Sequence, residues 1–151
     1  MDIRITPGTQ LGSERDLHAL DPAALCRPVL DYYRSQETKD PDLLGDSVCE
    51  LVYRLYCGGT DRLQDWEPWT RLTRGQIVGN LSKAFAHPDY HYQNAVECTH
   101  IKLNGDEALV RAVESGRSWK NRTWENAEAL WHVTPDAGGV WRIAGHVHRL
   151  P

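Results

Sequence analysis

HPDYHYQNAVECTHIKLNGDEALVRAV, residues 87–113, decides the fold. Before Pro88 the apolar residues recur at helical spacing, and beyond it the period falls to two, the signature of half-buried strands. The Asn104–Gly105 pair suits a tight hairpin turn. Alternate strand residues share a face, so Tyr92, Asn94, Val96, Cys98 and His100 form one set. His91, Gln93, Glu97 and Thr99 form the other, solvated set. With Leu103 opposite Asp106, counting places Asn94 across from Ser115, Val96 from Val113, Cys98 from Arg111 and His100 from Leu109. Directly opposed residues share a face, so the inward face carries Asn94, Ser115, Arg111 and His100 among valine and leucine. A single β-bulge would overturn part of this set.

Working outward, strands are expected at about 90–103, 106–118, 123–134 and 140–149, joined by the NG turn, SWKNRT and PDAGG. Ala127, Ala129, Trp131 and Val133 form the apolar set of the third strand. Trp141, Ile143, Gly145 and Val147 form that of the fourth, leaving His146 and His148 outside. Upstream, Asp21 and Pro22 read as N-cap and first residue of a helix running to about Lys39, which Pro41 stops. PDLLGDSV predicts a short second helix and CELVYRLY a strand. CGGTDRLQDWEPWTRL is a long loop of the kind that often carries function. Thr73 then caps a third helix, RGQIVGNLSKAFA. Helices first and an antiparallel meander after them make the class α+β. Residues 1–20 read as an arm and 21–151 as a single domain.

Composition narrows the function. Seventeen basic and 21 acidic side chains give a net charge of −4 and no basic stripe, against a nucleic-acid partner. Apolar runs are too short for a membrane span. The first residues, MDIRITPGTQLGSERD, lack a signal-peptide core, so a cytoplasmic address is expected. Cys26, Cys49, Cys57 and Cys98 form no C-x-x-C pair and read as buried thiols. His146-x-His148 lacks a suitably spaced third ligand, so no metal is expected.

The order and spacing of KDPDLL, VYR, HPDYHYQN, NGDEA and ALWHV…GGVWRIAG resemble the nuclear transport factor 2-like cone fold, in its polyketide-cyclase-like (SnoaL-like) branch. Scytalone dehydratases are the nearest named relatives, and the resemblance covers most of residues 28–148. It implies a cone-shaped α+β barrel with helices closed over a curved sheet and a deep pocket at the open end. It also implies cofactor-free acid–base chemistry on a hydroxyketone, using an aspartate at the end of the first helix, two histidines from the sheet and tyrosines. The aspartate matches Glu37, the strand tyrosine Tyr53, and the first histidine Asn94. The second histidine falls near Ser115 by hairpin register or near Ser118 by plain alignment, and the tyrosine beside the aspartate becomes Gln36. Both histidines are therefore replaced.

On this reading Glu37 is a desolvated general base, against the plainer reading of an exposed helix-end carboxylate beside Lys39. Tyr53 is an electrophile toward a substrate carbonyl or a core aromatic. Asn94 orients a ligand oxygen or satisfies strand backbone, and it cannot act as a base. Arg111, if inside, pairs with Glu37 or a ligand anion, and His100 is a proton carrier or a rim histidine. Tyr33, Ser115 and Trp131 would line the pocket, and Trp69, with Trp66, would roof it. Trp124 and Leu130 on the outer face predict a sheet-to-sheet homodimer. The expected ligand is a small, hydrophobic, oxygenated molecule of polyketide or terpenoid type. The expected reaction is a dehydration, isomerisation or cyclisation, and the alternative is a non-catalytic binding protein using the same pocket.

Overall fold

The structure, a computed structural model, describes residues 2–5, 21–55, 70–104, 106–119 and 121–149. Strand β1 (Asp2–Ile5) is followed by helices α1 (Pro22–Thr38) and α2 (Pro41–Ser47) and strands β2 (Val48–Leu55) and β3 (Thr70–Thr73). Helix α3 (Arg74–Phe85) then leads into the meander β4 (Tyr92–Asn104), β5 (Glu107–Ser118), β6 (Arg122–Pro135) and β7 (Trp141–Arg149). One seven-stranded sheet results, in the order β1-β4-β5-β6-β7-β2-β3. Within the expected N-terminal arm, Asp2–Ile5 adds a parallel edge strand to β4.

Local chemistry sets the helix boundaries. The Asp21 side chain accepts from the Ala23 N–H at 3.0 Å, with Pro22 following as the first helical residue. Lys39 ends α1 in the left-handed conformation at φ 56°, and the Asp40 N–H returns to the Ser35 carbonyl at 2.9 Å. Asp40 at once caps α2, accepting from the Leu43 N–H. Thr73 and Gln76 form a reciprocal capping box on α3. Such a cap contributes about 1 kcal/mol.

Leu25, Val29, Tyr32 and Tyr33 form the buried stripe of α1 and pack on the inner face of the sheet. That face presents Val96, Cys98, Ile101, Ala108, Val110, Ala112, Ala129, Trp131, Val133 and Ile143, all essentially buried. The Trp131 indole meets Tyr33 edge-on at 5.5 Å between ring centroids. The Tyr90 hydroxyl donates to the Gln36 carbonyl at 2.8 Å, pinning the end of α1, and with it Glu37, beside the start of β4.

Three bulges set which residues face inward. Cys98 pairs with Ala112 but His100 pairs with Arg111, leaving Thr99 as an extra residue in β4. Between Glu114↔Ala127 and Gly116↔Trp124, β6 carries an extra residue at a left-handed Asn126 (φ 50°). The Ser115 hydroxyl accepts from the Asn126 N–H at 2.9 Å and holds this bulge in place. Between His132↔Gly145 and Val133↔Ile143, Ala144 is the extra residue in β7.

These bulges correct the expected register. Asn104 pairs with Glu107, so the turn lies one residue later than the NG pair suggests. The combined shift turns β5 over: Ala112, Glu114 and Gly116 face inward, and Arg111, Val113 and Ser115 face outward. His100, opposite Arg111, also turns outward. His146 turns inward to stack on Trp131 at 4.6 Å, whereas the side chain of His148 lies outside those described. Trp124 joins the inner face against Tyr92 at 5.7 Å. Trp124 therefore leaves the outer face, and Leu130 on that face is 2% exposed.

Candidate functional site

A cleft of about 580 Å³ opens where the end of α1 meets the ends of β4, β5 and β6. Glu37 stands on the helix side, and Asn94, Gly116 and Trp124 on the sheet side. Gln93, Ser115 and Arg117 border the rim. Such a volume is sufficient for a small organic ligand.

Asn94 is the best-organised polar group in this wall. It is 5% exposed, and its Nδ2 donates to the Tyr92 hydroxyl and to Glu114 Oε2, each at 3.3 Å. Two acceptors for one amide nitrogen fix which way the side chain points. Its Oδ1 is buried and accepts no hydrogen bond among the described residues. Gly116, directly opposite, leaves room beside that oxygen: a Cβ there would lie 2.8 Å from Asn94 Oδ1 and 2.9 Å from the Trp124 ring. A buried acceptor without a donor costs about 1–3 kcal/mol, so a ligand hydroxyl or amine placed there would recover free energy.

Behind Asn94 lies Glu114, a carboxyl 6% exposed. Burial pushes its pKa up, partly offset by hydrogen bonds from Tyr33 and Asn94. The fully buried Tyr33 phenol is raised well above its usual range, first by burial and then by the field of Glu114. Tyr92 is raised by burial and by several neighbours, among them Glu114 first and Glu37 last, so one phenol senses both carboxylates. Glu114 therefore holds its proton to a higher pH than an ordinary glutamate.

The sequence-predicted residues divide between the two faces. Glu37 and Asn94 meet at the cleft, and Tyr33 and Trp131 lie in the core behind it. Ser115 faces outward by register yet borders the rim, its hydroxyl occupied by the Asn126 N–H. Arg111 and His100 lie on the outer face, Arg111 3.1 Å from Glu128 rather than beside Glu37. Trp69 and Trp66 lie outside the described residues.

Tyr53 is the largest correction. The parallel pairing of β2 with β7 puts it opposite Gly145 on the outer face, where its hydroxyl bonds His132 Nδ1. His132 Nε2 lies 3.1 Å from Glu107 Oε2. Burial lowers the His132 pKa, with Glu107 opposing, and raises that of Tyr53. The phenol thus keeps its proton and donates to Nδ1 of a neutral ring. Gly145 is required there, since a Cβ would come within 2.4 Å of the Tyr53 ring.

Reasoning from sequence missed Glu114, Tyr92, Gly116 and Trp124 as one unit. The available signal was Gly116: a glycine inside a strand marks a bulge or a close approach. No group of histidine, cysteine, aspartate or glutamate suited to a metal occurs among the described residues, and no helix among them is long and apolar enough to cross a membrane.

No protein-family profile matches the chain, and no curated protein matches it. Solved structures do match in shape. A protein of unknown function from Mycobacterium tuberculosis superposes with a TM-score of 0.64 at 14% identity, over 91% of this chain and 75% of that one. A ketosteroid isomerase-like protein from Erwinia carotovora atroseptica gives 0.60 at 12% identity, over 85% and 96%. A structure named as a candidate dehydratase of the NTF2-like family from Streptomyces avermitilis gives 0.58 at 17% identity, over 82% and 91%. The chain therefore has the α+β cone fold that these NTF2-like and ketosteroid isomerase-like structures share.

Proposed function

We propose that the chain is a small-molecule lyase or isomerase that moves protons on an oxygenated, largely apolar substrate held between Glu37 and Asn94. The observation that supports this most is Asn94 itself. Its amide nitrogen is committed to Tyr92 and Glu114, and its buried oxygen accepts nothing among the described residues. That oxygen would accept from a substrate hydroxyl and hold the adjacent carbon against Glu37 on the opposite wall. For a β-hydroxyketone, the Glu37 carboxylate takes the α-proton and the electron pair forms the enolate. The protonated Glu37 then gives that proton to the β-hydroxyl, which leaves as water as the enolate pair forms the enone, and the carboxylate is restored. Without a leaving group, return of the proton to a different carbon is an isomerisation. Glu114 acts through Asn94 and is a positioning residue. The names of two structural relatives, a candidate dehydratase and a ketosteroid isomerase-like protein, agree with this class. A polyketide-like or terpenoid substrate is what the family resemblance suggests, with the Trp124 ring in the cleft wall as its apolar contact.

The second reading is a non-catalytic binding protein. It is favoured by Asn94 itself, because an amide cannot carry a proton where the resembling enzymes use histidine. Deuterium uptake from D₂O into cyclic ketones and β-hydroxyketones separates the two. We expect uptake with wild type and a drop of about 10²-fold or more in Glu37→Gln, the usual worth of a positioned base. Uptake that survives Glu37→Gln would remove the assigned base. No uptake with any ketone, although the same ketones raise the melting temperature, would establish the binding protein instead.

A further inference from the structure

The outer face holds a second cavity, of about 260 Å³, lined by Thr99, His100, Lys102, Leu109, Arg111 and Leu130. Its floor is apolar: Leu109 and Leu130 are 3% and 2% exposed. Its rim is basic, with Arg111, Lys102 and His100, and it faces away from the Asn94 cleft because the Thr99 bulge turns these side chains outward.

Two buried polar atoms in this one cavity lack hydrogen bonds among the described residues: Thr99 Oγ1 and Arg111 Nε. They are brought together by the register, Thr99 being the extra residue beside the His100↔Arg111 pair. Glu128 Oε1 lies 3.1 Å from Arg111 Nε as an ion pair, without a hydrogen bond at that nitrogen. A hydroxyl and a guanidinium lining one cavity above two leucines suit a ligand with an acceptor-rich, negatively charged end and a small apolar body. We propose that this cavity binds a small monocarboxylate, its carboxylate on Thr99 and Arg111 and its hydrocarbon on Leu109 and Leu130. An inorganic anion would leave the leucine floor unused, and a neutral alcohol would make no charge-assisted bond to the basic rim.

Calorimetric titration with benzoate, and with benzyl alcohol as its neutral counterpart, tests the site. Benzoate is expected to bind one to one and at least about tenfold more tightly than benzyl alcohol, the ordinary gain from a charge-assisted bond. Arg111→Gln should weaken benzoate about tenfold or more, and Thr99→Val severalfold. Glu128→Gln removes a competing negative charge and should tighten binding, a gain that unfolding cannot mimic. Asn94→Ala should leave benzoate affinity unchanged. The assignment is overturned by no saturable binding, by equal affinity in wild type and a folded Arg111→Gln, by weaker binding in Glu128→Gln, or by loss of benzoate in Asn94→Ala, which would move it to the cleft.

Discussion

Glu114 and Glu107 lie on the same strand and on opposite faces, and their surroundings differ in kind. Glu114 is buried behind Asn94 among Tyr33 and Tyr92, where burial holds its proton. Glu107, its side chain 45% exposed, meets His132 and through it the Tyr53 hydroxyl. One face builds a polar cluster that leaves an acceptor open toward a cleft. On the other, the Tyr53 hydroxyl bonds His132 Nδ1 and His132 Nε2 lies 3.1 Å from Glu107 Oε2, a run of contacts that links β2, β6 and β5. A polar constellation alone does not mark a site; an unsatisfied atom beside a space does.

The largest expected effect falls on the inner face. Asn94→Ala should cut turnover or ligand affinity by about 10²-fold, because it removes the amide proposed to orient the substrate and also strips a partner from buried Glu114. Paired kinetics and thermal shift check this. A variant with normal turnover would show that the open acceptor is a structural accident.

The two glycines sharpen the contrast. In Gly116→Ala the new Cβ would meet the Gln93 carbonyl oxygen at 2.2 Å, a backbone atom that cannot yield without moving β4. In Gly145→Ala it would meet the Tyr53 ring at 2.4 Å, which can swing away at the loss of its bond to His132. We expect about 3 kcal/mol of destabilisation in the first and about 1–2 kcal/mol in the second by chemical denaturation. Only Gly116→Ala should also impair ligand binding. The reverse order would mean that Tyr53 is the more rigid of the two neighbours.

Glu114 gives the contrast a pH dependence. Because its folded pKa lies above the ordinary glutamate value, the native state keeps the proton longer than the unfolded chain does. This contribution is complete below the unfolded pKa and is lost as pH rises through the folded one. Glu114→Gln, which preserves an acceptor for Asn94, should therefore gain stability relative to wild type as pH climbs from acid toward neutral. Denaturation midpoints across that range check the slope, and an opposite slope would mean that the ionised carboxylate is the form favoured by folding. Smaller still, Tyr53→Phe should cost about 1 kcal/mol of stability, the worth of one hydrogen bond, and leave turnover unchanged. A Tyr53→Phe variant that loses turnover would return the outer face to the mechanism.

Much of the fold was legible in the sequence because its signals are local. Asp21–Pro22, Asp40–Pro41 and the Thr73–Gln76 box start the three helices where capping chemistry requires. The period-two runs of β4 to β7 depend on residues within one strand. The placement of Glu37 at the cleft followed from the family resemblance and that of Asn94 also from strand alternation, and Asn94 faces inward because no bulge separates it from Val96 and Cys98. What failed was parity. Thr99 in β4, Asn126 in β6 and Ala144 in β7 each insert a residue, and every side chain counted past an insertion changes face. Arg111, His100 and His146 were misplaced in this way and Glu114 was overlooked. Tyr53 was misplaced for a different reason: the face of an isolated strand is set by its partner β7, which no local pattern reveals.

The most direct measurement is a titration of a neutral cyclic β-hydroxyketone into protein labelled for observation of the Asn94 side-chain amide and the His132 ring. Saturable shifts in the Asn94 signals, with His132 unmoved, are the expected result and place the ligand on the inner face. Shifts in His132 with Asn94 unmoved would contradict the account and put the functional site on the opposite side of the sheet.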